Sequence, residues 1–223
     1  MAFSLTSLSA EPAFDLELFM TVSQETRINA DLMDRVSNLW DRWLPHAKAV
    51  KLDVDGRAYL LVWLDPEVED SVDDAWEDTP SEAFFINALA QVMVMGLVHS
   101  LVPEVEDMGC APAPKPTAGL AEALTEAGVP YAEPNEPPLA RRYAVLTHYP
   151  FKGGCEVCTL VENCPKAAGA GPHSVVLPGW ERPPNASQFH EAGVTMGPPR
   201  PTCWSTSAAL WCSSTREEVA YSW

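Results

Sequence analysis

The sequence predicts an α+β chain: an amphipathic helix, a β-hairpin, a long buried helix, then a Pro-rich segment with a cysteine-rich metal loop and an irregular C-terminal tail. Three observations carry this expectation. Ile28, Leu32, Val36, Leu39, Trp40 and Trp43 recur three and four residues apart with charged residues between them, the pattern of an amphipathic helix. Hydrophobic alternation on both sides of Asp55-Gly56 marks a two-residue hairpin turn. Thr79-Pro-Ser-Glu82 has the form of a capping box with Pro at the first helical position, and a nearly continuous apolar run from Ala83 to Val102 follows it.

Residues 1 to 22 form a mixed lead-in, with Phe14, Leu16, Leu18 and Phe19 suited to a short strand or a helical turn. The amphipathic helix spans about Asn29 to Trp43 and stops before Pro45, and its tryptophans suit core packing. Val50, Leu52 and Val54 share one face of the hairpin's first strand; in the second, Tyr59, Leu61 and Trp63 oppose Ala58, Leu60 and Val62. From Asp65 to Asp78 there are eight carboxylates in 14 residues, and their spacing does not meet the EF-hand pattern. A solvated acidic loop is expected there, with a docking surface for a basic partner as the functional alternative.

The apolar run is long enough to span a bilayer. Asn87, Gln91 and His99 fall within a third of its circumference and acidic residues flank it, so a buried helix is expected, with His99 a core histidine. Pro103 ends the helix, and Cys110 follows in Met-Gly-Cys-Ala-Pro. Between Ala111 and Pro138, Thr117 and Gly128 bracket one short helix, and the later prolines hold the chain extended. Arg141 to Tyr149 reads as a strand entering the cysteine loop. After Ala167 periodicity vanishes. The domain reading is therefore 1–109, an acidic α+β domain; 110–167, a Pro-rich segment and metal loop; and 168–223, an irregular tail with a short helix from Ser205 to Cys212.

Composition bounds the function. With 14 basic against 31 acidic residues and a net charge of −17, the chain repels nucleic acid and anionic membranes. The N-terminus has no basic region followed by an apolar run, so no signal peptide is read and a cytoplasmic location is expected. In that compartment clustered cysteines are more often metal ligands than disulfides.

Three of the six cysteines lie within ten residues, as Cys155-x2-Cys158-x5-Cys164. A Cys-x-x-Cys pair can turn both sulfurs toward one point, and a third Cys closes three corners of a tetrahedral ion or a cuboidal cluster. Gly153 and Gly154 let the backbone fold tightly beside them. A fourth donor is open among Cys110, His148, His173, Cys203 and Cys212; Cys110, a thiol beside a Gly at the end of a long helix, is preferred, and His148 comes second. With no second closely spaced ligand pair, a 4Fe-4S cluster ranks ahead of zinc. Arg141, Arg142, Lys152 and Lys166 gather near the loop, where cations offset a cluster's negative charge.

Read from His148 as His148-x6-Cys155-x2-Cys158-x5-Cys164, the spacing is similar to the Cys-x6-Cys-x2-Cys-x5-Cys loop of the endonuclease III and adenine glycosylase family. The resemblance covers these 17 residues, puts His148 at the family's first ligand, and implies a 4Fe-4S loop; the family's helix-hairpin-helix with catalytic Lys and Asp has no counterpart.

Nucleotide-binding, serine-hydrolase and zinc-protease motifs are absent. A nucleophilic Cys155 lacks a base partner in sequence, so the chain reads as more of a binding protein than an enzyme. The expectation is an iron-sulfur protein for electron transfer or redox sensing with a redox partner; the alternative is an accessory protein whose loop is stapled by zinc and whose acidic segment docks a basic protein.

Overall fold

The structure, a computed structural model, describes residues 3–133 and 136–164. The predicted tail from 168 to 223, with His173, Cys203 and Cys212, lies outside these residues, as does Lys166.

In chain order the elements are β1 (Phe3–Ser7), α1 (Leu16–Ser23), α2 (Ala30–Trp43), β2 (Ala47–Val54), β3 (Arg57–Leu64), α3 (Pro66–Asp78), α4 (Pro80–Leu101), α5 (Glu104–Met108), α6 (Ala118–Glu126), β4 (Tyr131–Glu133), β5 (Glu136–Leu139) and β6 (Ala144–His148). Strands β1, β2, β3 and β6 form one antiparallel sheet in the order β1-β2-β3-β6, and β4 pairs with β5 as a separate hairpin. The mixed helix-and-sheet class is the one expected.

The β2–β3 hairpin turns at Asp55 (φ 50°) and Gly56 (φ 76°), the paired left-handed conformations of a type I′ turn, with Val54 opposite Arg57. Both faces of its strands are covered. Ala49, Leu60, Val62 and Leu64, with Val145 of β6, pack on Leu89, Val92, Met93 and Leu97 of α4 and on apolar residues of α1, α2 and α3. Val50, Leu52, Val54, Tyr59 and Leu61, with Leu146, pack on Leu120, Ala123 and Leu124 of α6 and on Leu139 of β5. That is why β3 reads Tyr-Leu-Leu-Val-Trp-Leu with no polar alternation. The sheet draws strands from both sides of residue 110, because β6 lies beside β3.

Helix α2 is capped by Asn29, whose side chain accepts from the Leu32 N–H at 2.8 Å. The capping-box residues before α4 act differently from a reciprocal box: Pro80 opens the helix, but Thr79 makes no side-chain cap and Glu82 pairs with Arg35 of α2 at 2.5 Å. Helix α4 is long and apolar enough to cross a bilayer; in this fold ten of its residues, from Ala83 to Val98, are buried in the protein. Thr117 caps α6 by accepting from Leu120 N–H at 3.2 Å, and Gly128 (φ 79°) follows its end.

The acidic segment departs from expectation: it is α3, not a loop. Pro66 occupies its first turn, and Val68 and Val72, four residues apart, are fully buried. One buried stripe suffices to dock a helix whose other faces carry carboxylates.

Candidate metal centre

Strand β6 delivers the chain to the cysteine loop. In register, Tyr59 faces His148 and Leu60 faces Thr147, and the Tyr149 N–H donates to the Ala58 carbonyl at 3.0 Å, carrying the pairing one residue further. Tyr149 and Phe151 then pack on the core. Beyond them the loop makes two 3-10 turns, Cys155–Val157 and Val161–Asn163. The Cys158 N–H donates to the Cys155 carbonyl at 3.2 Å, and the Cys164 N–H to the Val161 carbonyl at 3.3 Å. Cys155 opens the first turn and Cys158, in extended conformation, caps its end. Gly154 enters that turn at φ 125°, a conformation L side chains rarely adopt.

A second segment meets the loop. After α5, Gly109 turns the chain with φ 60°, Cys110 follows, and Ala111 to Pro114 form a buried strap. Two hydrogen bonds hold it: the fully buried Thr147 hydroxyl donates to the Pro112 carbonyl at 3.0 Å, and the Thr159 N–H donates to the Ala113 carbonyl at 2.8 Å. The strap that begins after Cys110 and the loop residue after Cys158 are therefore direct neighbours. Cys155 is exposed; Cys110, Cys158 and Cys164 are half-buried.

His148 sits at the root of the loop, its ring 5.5 Å from that of Tyr59. Its Nε2 is buried and has no hydrogen-bond partner among the described residues. Burial holds its pKa below the usual histidine range, Lys152 and Arg57 push the same way, and a hydrogen bond to the Val157 backbone opposes them. His99 is likewise depressed, chiefly by burial, against the carboxylates of Glu106 and Asp15.

The predicted donors thus share a neighbourhood without converging. Among the described residues, the only three or more His, Cys, Asp or Glu side chains whose ligand atoms lie within 4.8 Å of one another are His46, Asp65 and Glu67. No pattern along the chain announces this group: the paired strand ends Ala47 and Leu64 bring His46 and Asp65 together across the hairpin. The His46 Nδ1 lies 3.6 Å from Asp65 and 3.9 Å from Glu67, and the Lys48 ammonium lies 3.5 Å from the same Asp65 oxygen. An ammonium already supplies a cation there.

The expected basic surround of the loop is also different. Arg142 makes a bidentate pair with Asp73 of α3 at 2.7 and 3.0 Å, its backbone N–H donates to Glu69 at 2.8 Å, and Arg141 lies 3.5 Å from Glu69. Both arginines serve the α3 contact, leaving Lys152 as the described member of the four beside the loop. A shallow groove between α2 and α4 is lined by Leu32, Val36, Leu39, Phe85, Ile86 and Leu89, with the Arg35–Glu82 pair at its rim.

No family model matches the chain, and no curated protein or solved structure matches it either.

Proposed function

We propose that the loop carrying Cys155, Cys158 and Cys164 holds a metal centre, and that the centre is a 4Fe-4S cluster serving electron transfer or redox sensing. One observation supports this above the others: Cys155 and Cys158 close one 3-10 turn, Cys164 follows the next, and the loop is tied to the strap after Cys110 through Thr159 and Ala113. Three thiolates on so short a loop, with a fourth donor from an adjacent segment, match what such a cluster requires. A redox protein approaching the exposed Cys155 side is the partner this reading implies. The test is iron, sulfide and zinc analysis with an absorption spectrum on the full chain purified without oxygen. About four iron and four sulfide per chain are expected for the cluster; protein with neither iron nor sulfide after anaerobic reconstitution refutes it.

A second reading, a zinc-stapled accessory protein, is favoured by the engagement of Arg141 and Arg142 with α3 rather than with the loop. It gives function to the exposed face of α3 that carries Asp70, Asp74, Glu77 and Asp78. A basic protein is the partner of that face. One zinc per chain and a colourless solution would favour it.

A further inference from the structure

We infer that Cys155 and Cys158 are a dithiol–disulfide couple that exchanges with small disulfides and prefers cationic ones, Cys155 being the attacking sulfur and Cys158 the resolving one. This chemistry needs no metal, so it goes beyond the metal-loop reading and stands without it.

The turn sets the separation of the two residues. The Cys158 N–H donates to the Cys155 carbonyl at 3.2 Å, which closes the turn from Cys155 to Cys158. The first and last residues of such a turn have Cα atoms within about 7 Å of one another, and a disulfide spans Cα separations of roughly 4.4–6.8 Å. The two backbones are thus held near bridging distance. Their exposure divides the roles: Cys155 is open to solvent and Cys158 is half-buried. The residue after Cys158 is also pinned, because the Thr159 N–H donates to the Ala113 carbonyl at 2.8 Å. A bridge closing so few residues constrains the unfolded chain little, and an exposed one is open to attack, so the bond is exchangeable rather than a structural staple.

The exchange balances in two steps. Cys155 attacks one sulfur of the small disulfide, whose S–S bond breaks; a mixed disulfide forms on Cys155 and the first small thiol leaves with the proton that Cys155 gives up. Cys158 then attacks the Cys155 sulfur, the internal bond forms and the second small thiol leaves. Two protein thiols are oxidised and one small disulfide is reduced. Charge selects among such disulfides. The Glu156 carboxylate folds back over Gly154, into the space a side chain there would take. Glu156 and Glu162 stand against Lys152 in the loop, on a chain of net charge −17. An anionic disulfide is repelled from this surface and a cationic one is drawn to it.

The experiment exposes the reduced full-length chain, with chelator present and oxygen excluded, to cystamine (cationic) or glutathione disulfide (anionic). Alkylation and peptide mass mapping follow the thiols over time, with far-UV circular dichroism checking the fold of each variant. Wild type should form a Cys155–Cys158 bridge that a reductant reopens. Cys158→Ser should stall as a mixed disulfide on Cys155, Cys155→Ser should lose the bridge, and Cys164→Ser should match wild type. From about 0.01 M to about 1 M salt the rate with cystamine should fall and that with glutathione disulfide should rise. If the serine variants unfold, the bridge mapped in wild type decides. A bridge to any other cysteine, a mixed disulfide that Cys158 never resolves, or survival of all six thiols in excess of both reagents overturns the couple. Salt dependences of the same sign overturn the cationic preference. Metal content of the wild type, measured separately, distinguishes the two readings: a bridge in a chain that binds no metal upholds the couple and refutes the metal loop, and metal without a bridge does the reverse.

Discussion

Replacing Thr147 by Val tests whether the Ala111–Pro114 strap is held by the sheet. Thr147 has no exposed surface, and its hydroxyl is 3.0 Å from the Pro112 carbonyl, which is itself buried. Valine has nearly the same shape, so no cavity opens, and the changes are the lost hydrogen bond and a buried carbonyl left without its donor. A neutral hydrogen bond contributes about 1 kcal/mol net, and an unsatisfied buried group costs roughly 1–3 kcal/mol. The added methyl group recovers up to about 0.8 kcal/mol by apolar burial. A net destabilisation of about 1–2 kcal/mol is therefore expected, read as a lower urea midpoint with an unchanged slope. Thr147→Ser retains the hydroxyl and loses only a methyl, so it should lose about 1 kcal/mol. A Thr147→Val protein as stable as wild type would refute the reasoning and free the strap from β6.

Two further outcomes follow from the electrostatics. The Asp73–Arg142 pair is partly exposed, at 55% and 40% of the side-chain surfaces, so Asp73→Asn should destabilise by at most about 1 kcal/mol at low ionic strength and less in about 1 M salt; the Arg142 hydrogen bond lowers the Asp73 pKa, so this contribution is present above the ordinary carboxylate value of 3.8 and is lost as pH falls through the depressed one. For His99, burial lowers the pKa below 6.5, so the unfolded chain takes up the proton first: the stabilising contribution is present above about pH 6.5 and declines as pH falls toward the depressed value. Denaturation midpoints measured across that range should flatten in His99→Gln, and an unchanged slope would remove His99 from the acid response.

How much of the fold was legible follows from how local each signal is. Asp55-Gly56 determines its turn with two residues, and the apolar residues of α2 and α4 repeat within single elements, so these were readable. Helix α3 was obscured because its carboxylates outnumber the Val68–Val72 stripe that docks it, and a reading weighted by charge sees solvent where spacing shows a face. Strand β1 lies at a sheet edge and exposes most of its residues, so Phe-Ser-Leu-Thr-Ser carries little pattern. Proximity in sequence places the arginines beside the cysteine loop, whereas Arg142 finds its carboxylate partner 69 positions away.

The candidate site shows the same division between chemistry and placement. Residue types and spacing named Cys155, Cys158, Cys164, Cys110 and His148, because thiols and imidazoles near one another in sequence narrow the chemistry. What the spacing could not convey is that consecutive residues of β6 serve different parts of the site. Side chains alternate along a strand: Thr147 holds the strap, while His148 turns to Tyr59 and to the Lys152–Val157 side of the loop. Thr159 then ties the loop back to the strap at Ala113. Loop and strap are thus both fastened to the end of one strand, which gives the cysteine loop and the segment after Cys110 a common base in the sheet.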